Sequence, residues 1–442
     1  MKTAENSKRF IRWYRAAAEQ GDAFSQVMLG YMYTGVLENT GKGVPENDEE
    51  AVRWLRAAAE QGHALAQANL GGIYATGKGV PENDEEAVRG LRLAAEWGSP
   101  PAQNRLGEMY ATGKGVPEND EEAVRWFRAA AEQGHAPAQN LLGVMYHDGI
   151  GVPENHEEAV RWLRAAAEQG NADAQANLGA MYHEGEGVPE NHDEAVRWFR
   201  AAAEQGHAPA QAGLGGIYAT GKGVPENDEE AVRWLRAAAE QGNPEGQFFL
   251  GYMYAEGKGV PENDAEAVRL FRAAAEQGHA DGQFNLGVMY HDGEGVPEND
   301  AEAVRWFRAA AEQGNPDGQF SLGYMYAEGK GVPENDEEAV RWFRAAAEQG
   351  HADGQFNLGV MYATGQGIPE NDEEAVRWFR AAAEQGHADG QLNLQTKRFP
   401  ENDADTVAIE ENVHKEEQEM KNRGETRLLG RLWGAVAGLL AR

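Results

Sequence analysis

Tryptophan returns every 36 residues, at Trp126, Trp162, Trp198 and Trp234 and again at Trp306, Trp342 and Trp378. The residues around it return with it. Self-similarity this strict means one supersecondary unit copied along the chain, so the fold is a row of stacked copies and not a compact globule. It also bears on function, because a constellation present in every copy reads as a surface, not as an active site.

One period, residues 117–153, shows the unit. Asn119 is placed to cap a helix whose first turn is Asp120-Glu121-Glu122, with Glu122 at the position that completes a capping box. The three acidic residues also sit at the positive end of the helix dipole. Ala123, Trp126, Phe127 and Ala130 then follow the i, i+3, i+4, i+7 spacing of an amphipathic helix, and Gly134 stops it. A second helix spans about Ala136 to His147, with Ala138, Leu142, Met145 and Tyr146 on one face. Gly143 lies in its middle, where glycine costs about 1 kcal/mol relative to alanine. Its return as Gly107, Gly179, Gly215 and Gly251 predicts close contact with a neighbouring helix. Gly149 and Gly151 end the unit, which is helix A, turn, helix B, loop. The fold class is all-α, a solenoid of tandem 36-residue helix-turn-helix repeats.

The first helix appears 11 times in the sequence, with Gly90 and Leu270 in place of tryptophan in two of them. Residues 1–394 make ten full repeats and a truncated eleventh. The first loop carries an insertion near Val36-Leu37-Glu38-Asn39-Thr40. Residues 395–423 read as a degenerate, charged capping helix, and 424–442 as a basic amphipathic helix.

Forty basic residues against 73 acidic ones leave a net charge of −33, which argues against nucleic acid. Without cysteine there are no disulfides, thiolate metal sites or cysteine nucleophiles. No apolar segment follows the basic start, and none reaches the roughly 20 residues of a membrane span, so a cytoplasmic location is expected.

The stretch Ala138-Gln139-Asn140-Leu141-Leu142-Gly143-Val144-Met145-Tyr146-His147-Asp148-Gly149-Ile150-Gly151-Val152, with the pattern Ala-Val-x-Trp-Phe-x-x-Ala-Ala-x-x-Gly, resembles the Sel-one-like repeat (SLR). The resemblance spans roughly residues 5–394. It implies a right-handed α/α superhelix related to tetratricopeptide arrays, with a concave face that is commonly a platform for protein partners. The family includes adaptors in signalling, protein quality control and bacterium–host contact, and cysteine-rich secreted members linked to β-lactamase activity. No catalytic residue transfers.

The repeated tryptophans lie at the centre of the apolar stripe and are expected in the core. The Glu-Asn-Asp-Glu-Glu openings form an acidic edge, read as capping and solubility or as steering of a basic partner. Glu121–Arg125 and Arg128–Glu132 are expected to pair at i, i+4. His147-Asp148, His183-Glu184 and His291-Asp292 end B helices, and His156 and His192 are placed to approach His147 and His183 across a loop; two donors do not make a metal site, and no metal or cofactor is assigned. The Gly-Lys-Gly-Val-Pro loops lack the residues of a phosphate loop.

The later copies add Phe248, Phe284, Phe320 and Phe356 where earlier ones have Asn140 or Ala176, and a nearby alanine becomes glycine. These phenylalanines, with Gly90 and Leu270, are the candidate partner-binding residues. Leu428, Leu432, Trp433, Val436 and Leu440 are candidates for capping, dimerisation or membrane contact by the tail. The expected function is a non-enzymatic scaffold that binds a protein or peptide on the concave face. The rivals are a β-lactamase-like hydrolase and a spacer whose tail alone acts.

Overall fold

The structure is a computed structural model that describes residues 2–34, 47–77 and 81–395. The insertion near Val36 and the tail beyond residue 395, including Leu428, Leu432, Trp433, Val436 and Leu440, lie outside the described residues. Among the described residues twenty-two helices alternate as A and B, with no strand. They belong to two compact units, Met1–Ala202 and Ala203–Arg442. Most A helices have the form of Asp120–Ala131 or His156–Glu168, and most B helices that of Ala136–Asp148 or Ala172–Glu184. The last B helix, Ala388–Gln395, is shorter.

An asparagine starts each A helix after the first. Asn119 adopts φ −158° and ψ 97°, and its side-chain oxygen accepts from the Glu122 N–H at 3.0 Å. A cap of this kind stabilises by about 1 kcal/mol. The same bond recurs at Asn47, Asn83, Asn155, Asn227 and Asn335. The reciprocal arm of a capping box is replaced. The Asn119 N–H donates instead to the Tyr110 carbonyl of the preceding B helix at 2.9 Å, so the cap also joins two copies. Glu122 turns forward and accepts from Arg125 at 3.2 Å, an i, i+3 pair instead of the Glu121–Arg125 pair expected. Arg128 bypasses Glu132 and donates to the Tyr146 hydroxyl at 2.7 Å, tying helix A to helix B of its own copy.

Two glycines show what the backbone requires. Gly151 has φ +66°, and a Cβ there would lie 2.4 Å from the Asp120 carbonyl oxygen, so the loop folds flat onto the start of its own A helix. Gly143 is helical, and a Cβ there would lie 2.7 Å from Leu163 Cγ on the next A helix. The same approach brings Gly107 to Phe127, Gly251 to Phe271 and Gly323 to Phe343. The glycine's cost in helix propensity is offset by the large apolar side chain packed against it.

The repeat tryptophans Trp54, Trp126, Trp162, Trp198 and Trp342 are core residues, each in the cluster of the copy before its own, whereas Trp13 in the first helix is exposed. Trp162 is 8 % exposed and packs in a cluster with Val124, Phe127, Leu142 and Met145. Trp198 packs with Val160, Leu163 and Leu178, and Trp342 with Val304, Phe307 and Leu322. A second link between copies is polar. Buried Gln139 donates to the Ala131 carbonyl at 3.0 Å and accepts from Gln169 of the next copy at 2.7 Å. The rung returns as Gln133–Gln103, Gln241–Gln211, Gln277–Gln247 and Gln313–Gln283. A buried amide satisfied in this way contributes about 1 kcal/mol, and costs more when its partner is removed.

Candidate functional site

The six candidate residues of the array are used in packing. Phe248, Phe284 and Phe356 are buried, at 6 %, 7 % and 5 % exposure. Each meets an A-helix phenylalanine of the following copy: Phe271 at 6.0 Å, Phe307 at 5.8 Å and Phe379 at 5.7 Å between ring centroids. Phe320, partly buried, lies 5.9 Å from Phe343 and stacks on His351 at 4.9 Å. Phe248 and Phe356 stack in the same way on His279 and His387. The accompanying loss of a methyl now has a cause. A Cβ at Gly282 would lie 3.0 Å from the Ala274 Cβ, and at Gly318 2.8 Å from the Ala310 Cβ, so glycine lets the B helix that carries the phenylalanine sit closer to its A helix.

Leu270 is 2 % exposed. At Gly90 a Cβ would lie 2.7 Å from the Gln67 carbonyl oxygen and 3.0 Å from Gly71 Cα, so neighbouring backbone fills the place of the missing indole. The structure thus uses these six positions in packing between helices.

What the copies leave open is different. The outward face of each A helix repeats one exposed pair: Glu122–Arg125, Glu158–Arg161, Glu194–Arg197, Glu338–Arg341. The arginine also lies over its neighbouring indole, 4.8 Å from the Trp162 ring centre in the case of Arg161. B helices also carry positions spaced i, i+3, i+7 whose residues change from copy to copy. Arg105, Glu108 and Thr112; Leu141, Val144 and Asp148; Asn177, Ala180 and Glu184; and Ser321, Tyr324 and Glu328 are half-buried or exposed there, whereas the equivalent Phe249 and Tyr252 are buried. Sequence reasoning missed this row, although its signal is the variation itself.

One cluster of titratable side chains stands apart. His147 ends helix Ala136–Asp148, His156 begins helix His156–Glu168, and Glu186 lies in the loop after helix Ala172–Glu184. The His147 and His156 rings are 5.1 Å apart and nearly perpendicular, as the sequence spacing suggested. Glu186, thirty residues beyond His156, was not anticipated; it meets His147 Nε2 at 2.7 Å. Burial lowers the His147 pKa, but hydrogen bonds and charge from Asp148 and Glu186 outweigh it, and the net shift is upward.

The Sel1 repeat pattern matches eleven segments between residues 11 and 387, among them 100–135, 136–171 and 172–207. The chain belongs to the Sel1 repeat family. A Sel1 repeat protein from Oxalobacter formigenes is 36 % identical over 70 % of this chain and 90 % of its own, with a TM-score of 0.52. Another solved structure is c5321, described as a protective antigen present in uropathogenic Escherichia coli strains and displaying an SLR fold. It is 34 % identical over 87 % of this chain and 90 % of its own, with a TM-score of 0.57. No curated protein matches. Among the described residues, no helix of this Sel1 repeat array is long and apolar enough to cross a membrane.

Proposed function

We propose that this Sel1 repeat chain is a non-enzymatic scaffold, and that it recognises a protein or peptide through the variable row of its first unit's B helices. The variation from copy to copy supports this reading. A helices repeat the same exposed Glu–Arg pair, which can recognise only a uniform feature. In the first unit the B-helix row places Arg105, Leu141 and Asn177 at one equivalent position, and Glu108, Val144 and Ala180 at another. A row that differs at each step can distinguish one extended partner from another, because specificity is a difference between affinities. The acidic excess further favours a basic partner, whose association would slow as salt rises.

The test has two stages. A partner is first identified by affinity capture and purified, and its binding is then measured by calorimetry. Replacing Leu141 and Val144 by serine is expected to weaken binding at least tenfold, about 1.4 kcal/mol. Replacing Arg125 and Arg161 should have little effect. The reverse pattern would remove the B-helix row from recognition. Turnover of a β-lactam substrate by the purified chain would instead favour a hydrolase.

A further inference from the structure

We infer that His147, His156 and Glu186 form a binding site for one divalent transition-metal ion, zinc being the best match to two imidazoles and a carboxylate. The donors come from three segments of two adjoining copies, and the fold brings them together. Among the described residues this is the one group of three such side chains whose donor atoms converge, all within 4.8 Å of one another. His147 Nε2 lies 2.7 Å and His156 Nδ1 3.7 Å from the same oxygen of Glu186. Tetrahedral ligands about 2.1 Å from zinc stand roughly 3.4 Å from each other. Shifts well under 1 Å, within the reach of a side-chain torsion, would bring both distances to that value.

Two further observations favour an ion over a simple hydrogen-bonded group. First, the outward nitrogen of each imidazole is held by a carboxylate. His147 Nδ1 meets Asp148 Oδ1 at 2.6 Å, and His156 Nε2 meets Glu154 Oε1 at 2.9 Å. Carboxylates placed behind the rings in this way orient metal-binding histidines and raise their basicity. Second, His156 Nδ1 is shielded from solvent and has no hydrogen-bond partner, because Glu186 is beyond hydrogen-bonding distance. Such an atom is costly to bury unless something coordinates it. With both imidazoles neutral, Glu186, Asp148 and Glu154 supply three negative charges against the two of a divalent cation. The three ligand side chains are each about one-third exposed, at 33 %, 32 % and 36 %, which leaves a path for the ion. A fourth position would remain for water or for a donor from a partner.

The chain contains its own comparisons. His183 and His192 repeat the ring pair at 5.1 Å, but the residue 36 positions after Glu186 is Lys222, so the sequence does not repeat the carboxylate. At His291 the partner nine residues on is Asp300, and the position matching Glu186 is Lys330.

The experiment uses the full chain without an affinity tag, freed of metal by chelation and titrated with zinc chloride by calorimetry. One ion per chain is expected, with a micromolar or tighter dissociation constant. Cobalt should give the visible absorption of a tetrahedral site. His156→Ala and Glu186→Gln, verified as folded by circular dichroism, should each abolish that event. Asp148→Asn should weaken it about tenfold, and His291→Ala should leave it intact. Failure of the unaltered chain to bind zinc, or unchanged binding by the folded Glu186→Gln and His156→Ala chains, would overturn the assignment.

Discussion

Where the copies of Met1–Ala202 place Asn104, Asn140 and Ala176 on the B helix, those of Ala203–Arg442 place Phe248, Phe284, Phe320 and Phe356 from the second copy onward. The added rings fill the interface with the following copy. A second row changes with them. At the second residue of the B helix the first unit carries Phe24, Leu65, Pro101 and Pro137 before Asp173 in its last copy, with Phe24 59 % and Leu65 51 % exposed. In the second unit, after Pro209, Glu245, Asp281, Asp317 and Asp353 stand there, paired with His279, Asn315, His351 and His387 of the following copy. The exposed large apolar side chains among the described residues, Trp13, Phe24, Leu65, Leu93, Trp97 and Ile150, all belong to the first unit. In the second unit the added aromatic residues pack copy to copy, whereas the first unit leaves large apolar side chains exposed.

The largest effect should come from the rings. Phe284→Ala is expected to cost about 3–4 kcal/mol, seen as lost amide protection in the helices carrying Phe284 and Phe307. A cost below about 1 kcal/mol would mean that the rings do not set the two units apart. Next, the glycine–phenylalanine pairing can be transplanted. Asn140→Phe alone should destabilise the first unit, and adding Ala138→Gly should restore about 1–2 kcal/mol in a double-mutant cycle. Simple additivity would show the two changes to be unrelated. A smaller gain is expected at Trp97, which is 78 % exposed and occupies the place of a ladder glutamine. Trp97→Gln should donate to Gln67 and stabilise by about 1 kcal/mol, raising the melting temperature; a drop would show that the indole is structural.

The smallest effect concerns Asp281. Burial is the main cause of its raised pKa; the charge of His279 opposes it, Glu245 and Asp317 reinforce it, and the Asn315 hydrogen bond opposes it. A carboxyl whose folded pKa exceeds its unfolded value favours the protonated form in the fold. Its ionised form therefore destabilises above the folded value, and this effect disappears as pH falls below the ordinary carboxylate range. Asp281→Asn should stabilise by less than about 1 kcal/mol at pH 7 and by less still near pH 4, as read by denaturant melts at both. A gain independent of pH would exclude the charge as the cause.

The helix pairs, their asparagine starts and glycine ends, the buried tryptophans and the close contact at Gly143 were legible in the sequence, because each rests on neighbours within one or two turns. Long-range hydrogen bonds were not. The Asn119 N–H goes to Tyr110, Arg128 to Tyr146 and Gln169 to Gln139, so local spacing suggested a capping box and an Arg128–Glu132 pair that three-dimensional partners displaced. For the candidate site, the nine-residue step from His147 to His156 was readable on one loop. Glu186 was not, because it comes from the next loop and its position holds isoleucine, lysine or glutamine in most other copies, with glutamate again at Glu294.

A repeat tryptophan such as Trp162, Trp198 or Trp342 completes the core of the copy before it, which gives the array a direction. A chain cut after Glu348 would keep Trp342, and with it the cluster of Leu322 and Met325. A chain cut after Glu328 would lose that indole and leave both residues without their cover. Removing copies from the front, by contrast, takes away a core and leaves the tryptophan of the next copy uncovered. Shortening from the two ends should therefore be unequal, with fraying starting behind the last indole retained. At the position 36 residues after Trp378 the sequence has His414, so no further indole in the series follows the last described A helix.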